Sequence, residues 1–158
     1  VREEERMQEP HVDDRYFPLV VNTIPERIQA EHLPAFFAKT EAILRRRQPY
    51  VTISDVTACR ELPNAMVRKA LADWSKEFDP LMKQYSAGSA IVITSPLVRG
   101  GLTALFWLAP PPYPQQVVAT LNEAVDVVSR YYTADGHALP EGFRTYAAEA
   151  RAKPRRAG

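Results

Sequence analysis

Residues 86–109, SAGSAIVITSPLVRGGLTALFWLA, decide the fold. The run from Ala87 to Thr94 carries no charge, is rich in Ile and Val, and has the length of a strand. Such a run reads as a central β-strand covered on both faces. Ser95-Pro96 follows, a residue suited to a helix N-cap and one suited to the first helical position. From Leu97 to Ala109 the chain is helical in pattern, with Arg99 its one charge. A buried strand feeding an unusually apolar helix is therefore the centre from which the rest is placed.

Working outward, the chain alternates strand and helix. His11–Asp14 reads as a short edge strand and Tyr16–Ile24 as the first firm strand, with Pro18 near its start. Pro25–Arg47 is a helical region. Thr23 and Glu26 are placed to cap it as a box, and at Pro34 the helix either kinks or truly begins near Ala30 with Pro34 in its first turn. Tyr50–Val56 is the next strand, and Pro63–Tyr85 the next helix, which Pro80 is expected to kink or shorten. After the central stretch, APPPYP (109–114) forces an extended connection to a short strand, Gln116–Ala119. Thr120 and Glu123 make a T-x-x-E capping box for a last helix to about Tyr132. Strand–helix repeated about four times predicts a single α/β domain, with a mixed or mostly parallel sheet and right-handed crossovers. The expected boundaries are a flexible tail at 1–10, the domain at 11–133, and a mobile C-terminal extension at 134–158.

At 158 residues, 46% of them hydrophobic and 25% charged, the chain has room for one domain with a real core. A net charge of +1 offers no basic stripe for nucleic acid. A single cysteine, Cys59, excludes an internal disulfide and suits a reducing compartment. No apolar run approaches a membrane span of about 20 residues, and the charged opening VREEERMQEP is not a secretory leader. A cytoplasmic location is the expectation.

Catalytic signatures are missing. His11, His32 and His137 lack metal-ligand spacing, and there is no phosphate-binding glycine loop or nucleophile elbow. The polar candidates are Asp55, Cys59 and Arg60, at or just after the carboxyl end of the second strand, where α/β proteins place function. Arg60 beside Cys59 would lower a thiol pKa, although a lone cysteine is more often structural. Asp55 reads either as a ligand contact or as a carboxylate accepting backbone N–H bonds in its loop. No catalytic group, cofactor or metal is assigned.

FPLVV (17–21), VTISDV (51–56) and SPLVRGGLTALFWLAPPPYP (95–114), in this order of elements, resemble the STAS-like family, which includes the anti-sigma factor antagonists. The likeness covers Tyr16 to Tyr132, and its last passage resembles a bacterial group of such proteins. It implies a STAS-like sheet and a non-catalytic module of a bacterial signalling or assembly system that binds another protein, or a small ligand. The antagonists carry a phosphorylatable serine in the turn entering the second helix. The counterpart here, ELPNAM (61–66), has no serine or threonine, so that switch is not carried over.

At 100° per residue, Leu97, Val98, Gly101, Ala104, Leu105, Leu108 and Ala109 fall on one broad face of the third helix. This face is expected against the sheet, with Gly101 permitting close approach. Arg99, Thr103, Phe106 and Trp107 then lie outward as a partner-binding set, for another protein or a second copy forming a homodimer. Cover by the proline connection or by the segment holding Phe143 and Tyr146 is the competing account, and membrane-surface contact a weaker one. The alternative function is a small-ligand or lipid-binding domain, with an apolar pocket between helices and sheet.

Overall fold

Every residue of β4 (Ser86–Val92) is buried, as an uncharged strand between two layers must be. It pairs in parallel with β3 (Tyr50–Asp55) on one side and β5 (Gln115–Val118) on the other. Beyond β3 lies β2 (Leu19–Thr23), also parallel, and then β1 (His11–Asp13), which is antiparallel. The sheet order is β1-β2-β3-β4-β5. The computed structural model describes residues 8–152. Residues 1–7 and 153–158 of the two expected tails lie outside that range.

Strand order following chain order has a consequence for the helices. Right-handed crossovers between successive neighbours, all stepping in one direction, put their helices on the same face. The three crossover helices are α1 (Leu33–Leu44), α2 (Ala65–Tyr85) and α3 (Pro96–Leu108). α1 and α2 pack over Val20 and Tyr50, and α3 over Ile91 and Ile93. The opposite face falls to the chain that follows β5, α4 (Leu121–Ala134) and α5 (Glu141–Ala152). The result is a single α/β domain with a five-stranded mixed sheet and five α-helices among the described residues.

Local chemistry starts these helices where side-chain acceptors are available. Ser95 Oγ accepts from Val98 N at 3.3 Å, with Pro96 opening α3. Thr120 Oγ1 accepts from Glu123 N at 3.2 Å, and Glu123 Oε2 accepts from Ala119 N at 3.1 Å. Asn64 Oδ1 does the same for Val67 N at the start of α2. The Thr23–Glu26 box does not form, because Thr23 is the last residue of β2. α1 instead begins at Leu33 with Pro34 in its first turn, after a short 3-10 turn at Ala30–His32. α2 continues past Pro80 to Tyr85.

The C-terminal segment differs most from expectation. Residues 141–152 form α5, and its Phe143, Tyr146 and Ala150 are buried in the same core as Leu19, Val51, Ile53 and Val128. Phe143 is 2% exposed and packs on Tyr132 at 5.3 Å between ring centroids. Tyr146 packs edge-on against Tyr16, whose hydroxyl donates to Glu149. The reason is apolar supply: α4 packs over β4 and β3, and Phe143, Tyr146 and Ala150, recurring at helical spacing on α5, extend that core to Leu19 and Val21 of β2. This helix lies on the face opposite α3 and does not cover Trp107. On the same side, Gly88 has a φ of +156°, and a Cβ there would collide with the Tyr131 ring of α4.

Candidate functional site

The two faces of the sheet are built differently. Pairing in register makes lateral rows, and side chains two apart share a face. The face under α4 and α5 is apolar, with Leu19, Val21, Val51, Ile53, Ala90 and Val92 in its core. The face under α1–α3 carries the row Val20, Thr52, Ser89 and Gln115, and beside it the row Asn22, Ser54, Ile91 and Val117. Five of these eight are polar, although helices cover them. Ser89 is buried, and Asn22, Thr52, Ser54 and Gln115 are half-buried.

The helices do not press onto these rows. Between them lies a cavity of about 310 Å³, with Asn22, Thr52, Ser54, Ser89 and Gln115 on its floor. Its roof is mostly apolar, with Phe36 and Ile43 of α1, Trp74 and Met82 of α2, and Val98, Leu102 and Phe106 of α3, and Thr40 of α1 and Ser75 of α2 as polar members. The indole of Trp74 stacks on Phe37 at 5.0 Å and on Phe78 at 4.9 Å, and its Nε1 donates to Glu41 Oε1 at 3.1 Å. Its position is thereby fixed at the cavity wall. The single charged residue among the lining groups is Glu61, which is exposed and ion-paired with Arg27 at 2.8 Å. The Oδ1 of Asn22 is buried and has no hydrogen-bond partner. Burial also pushes the phenols of Tyr50 and Tyr113, both in the lining, above their usual range. Neither adds a charge to the cavity near neutral pH.

Cys59 lines this cavity and is buried. Its Sγ donates to Pro25 O at 3.1 Å. Burial, with a smaller contribution from Asp55, pushes the thiol up to about 11, so it is held protonated near neutral pH and is not an activated nucleophile. Arg60, next to it, is exposed. Asp55 ends β3, and its Oδ1 accepts from Thr57 N at 3.0 Å and Thr57 Oγ1 at 2.6 Å. It organises its own loop. Asp55 also borders a hollow of about 100 Å³ shared with His11, Asp13, Arg15, Tyr16 and Glu149. Arg15 is committed there to a two-point ion pair that holds the Asp13 carboxyl below its ordinary range. Among the described residues no cluster of His, Cys, Asp and Glu could hold a metal ion.

α3 is turned relative to expectation. Its inward residues are Val98, Leu102 and Phe106, spaced by four. Phe106 is therefore a roof residue of the cavity and not part of an outer set. Leu97, Ala104, Leu105, Leu108 and Ala109, expected inward, are exposed, Leu108 at 86%. Gly101 faces the Leu62 side chain of the loop before α2, where a Cβ would collide, and makes no close approach to the sheet. Arg99, Thr103 and Trp107 do lie outward, Trp107 at 85% exposure, with Thr103 Oγ1 donating to Arg99 O at 2.7 Å. The physical reason is that a helix apolar almost all round has no polar face to fix its rotation. Contacts with Cys59, Ile91 and Ile93 decide it instead. No described helix is long and apolar enough to cross a membrane.

The cavity floor leaves one trace in the sequence. VTIS (51–54) alternates apolar and polar within a strand buried between layers, where an unbroken apolar run is the rule.

No protein-family model matches this chain, and no curated protein does. Among solved structures the chain is similar to an anti-sigma-factor antagonist (STAS) domain protein from Planctomyces limnophilus. The two are 13% identical with a TM-score of 0.49, over 76% of this chain and 97% of that one.

Proposed function

We propose that this domain is a non-catalytic binding module that takes a small, mostly apolar molecule into the cavity between the sheet and α1–α3. One observation carries the reading: a polar sheet face lies beneath mostly apolar helices, and together they line a cavity of about 310 Å³, a size in the range of ligand sites. The lining contains no activated nucleophile and no pair of opposed titratable groups suited to acid–base work.

Octan-1-ol is a fitting first probe. A ligand at a hundred times its Kd stabilises the native state by about 2.7 kcal/mol, several degrees in Tm for a domain of this size. Ser89→Met pushes a flexible side chain from the floor into the cavity. The wild type is expected to gain stability with octan-1-ol and the variant to gain none. Equal shifts in both would remove the cavity from the account.

A second reading is docking of a protein through the outer face of α3, and it rests on Trp107, Leu108, Leu97 and Leu105, all exposed on one helix. Apolar exposure of this kind marks interaction surfaces, and Trp is a common anchor. The first partner to test is a second copy of the chain. Light scattering over a concentration series, with wild type beside Trp107→Ser/Leu108→Ser, tests it. A dimer that becomes a folded monomer supports self-association. A monomeric wild type refutes it.

A further inference from the structure

We infer that the hollow of about 100 Å³ between the sheet, Leu121 of α4, and Tyr146 and Glu149 of α5 binds a small primary ammonium group. It lies on the sheet face opposite the cavity and is independent of the function proposed above. Register builds its floor. His11 of β1 pairs with Thr23 of β2, and Thr23 with Asp55 of β3, so the three form one lateral row at the carboxyl ends of β2 and β3. Asp13 belongs to the next row on the same face, opposite Val21. Open α/β sheets take ligands at that end of their strands.

Charge points to a cation. Asp13, Asp55 and Glu149 border the hollow, and among the described residues Arg15 is its one permanent cation. Arg15 is committed to Asp13, with Nε at 3.0 Å and Nη2 at 2.8 Å from the carboxylate oxygens. Asp55 receives both Thr57 bonds on Oδ1, and Glu149 receives the Tyr16 hydroxyl on Oε2. Each therefore keeps one oxygen with no protein partner among the described residues.

Tyr146 separates this hollow from an ordinary acidic surface. It is 6% exposed and lines the hollow, and its hydroxyl meets no hydrogen-bond partner among the described residues. That hydroxyl is reachable: the unpartnered side-chain atoms sealed from solvent are Asn22 Oδ1 and His32 Nδ1, and Tyr146 Oη is not one of them. Burial, and then Asp55, Tyr16, Asp13 and Glu149, push the phenol up to about 12, so the hydroxyl is neutral and sits among carboxylates. A buried polar group is normally met by a partner. The groups left unmet around the hollow are carboxylate oxygens and this hydroxyl, and an ammonium brings one positive charge and three N–H donors to them. At about 30 Å³ per water-sized group, the hollow holds on the order of three such groups, an ammonium and the start of its stem. No described cluster is spaced to hold a metal ion, so the fitting cation is one that binds through N–H.

The ammonium belongs to a free alkylamine or to a lysine side chain of a partner protein, and the head-group chemistry is the same. The test is a titration of the ¹⁵N-labelled full chain at pH 7.5 and constant ionic strength, following the backbone amides of residues 11–16 and 146–150. Propylammonium is expected to shift them saturably. Tetramethylammonium, with the same charge and no N–H, is expected to bind about tenfold or more weakly. Tyr146→Phe keeps the packed ring and is expected to weaken propylammonium by about fivefold. Asp55→Asn/Glu149→Gln keeps the acceptors for Thr57 and Tyr16 and is expected to abolish binding. Nα-acetyl-lysine N-methylamide distinguishes the sources: affinity equal to that of propylammonium supports a lysine side chain, and binding of propylammonium alone supports a free amine. Equal responses to propylammonium, tetramethylammonium and sodium would reduce the effect to charge screening and overturn the site. Silence from propylammonium, or unchanged affinity in either folded variant, would overturn it too. The comparison between cations needs no variant, so it stands whether or not the variants fold.

Discussion

Phe143→Ala and Leu108→Ala make a paired test of how the helices are docked. Phe143 is 2% exposed within the core formed by the sheet, α4 and α5, and Leu108 is 86% exposed at the end of α3. Truncating a fully buried phenylalanine costs about 3–5 kcal/mol, from lost apolar transfer and the cavity left behind. Its neighbours make collapse difficult, since Tyr132 packs on the ring and the sheet residues Leu19, Val51 and Ile53 belong to the same core. A surface truncation away from caps and networks stays within about 0.5 kcal/mol. In a domain of this size 1 kcal/mol is worth about 2–4 °C in Tm, so Phe143→Ala is expected to lower Tm by roughly 10 °C and Leu108→Ala hardly at all. Urea unfolding followed by circular dichroism measures both. A large loss at Leu108 with none at Phe143 would mean that α5 is undocked and α3 is rotated, and would refute the packing described here.

Three other outcomes follow from single contacts. The Cys59 thiol has a folded pKa of about 11 against an ordinary value of 9.0. Its stabilising effect is therefore complete below about pH 9 and is lost as pH rises through 11. Wild type should lose stability relative to Cys59→Ala over that window, and iodoacetamide at pH 7.5 should label the folded protein far more slowly than the unfolded one. Labelling at equal rates would contradict the burial. Gly88→Ala should destabilise by about 1–3 kcal/mol through overpacking against Tyr131, and Tyr131→Ala should relieve part of that in the double variant; strictly additive losses would deny the contact. Thr120→Ala removes the acceptor for Glu123 N and should cost about 1 kcal/mol, read from the same urea curves; no change would show the cap to be idle.

Much of this architecture is legible in residues that act locally. The uncharged run before Ser95-Pro96 reads as a doubly covered strand, Ser95 caps α3, and the T-x-x-E at Thr120 starts α4, because strand burial and capping depend on a few adjacent residues. The rotation of α3 is a different matter. With Arg99 its only charge, the helix meets the sheet equally well in sequence terms through Leu97–Leu105 or through Val98–Leu102–Phe106, and tertiary contacts choose. α5 carries its own signal in Phe143, Tyr146 and Ala150, but these sit among charged residues close to the chain end, which read as solvated. The cavity is a property of register. Asn22 of β2, Thr52 and Ser54 of β3, and Ser89 of β4 come from three strands separated in the chain and become one polar floor only when β2, β3 and β4 are aligned as they are.

The most direct measurement is where a bound probe sits. Octan-1-ol added to methyl-labelled protein is expected to show intermolecular NOEs to the methyl groups of Val98 and Leu102, which face the cavity from α3. Contacts to the methyls of Leu97 and Leu108 on the outer face of the same helix, without any to Val98 or Leu102, would place binding on the surface and contradict the account.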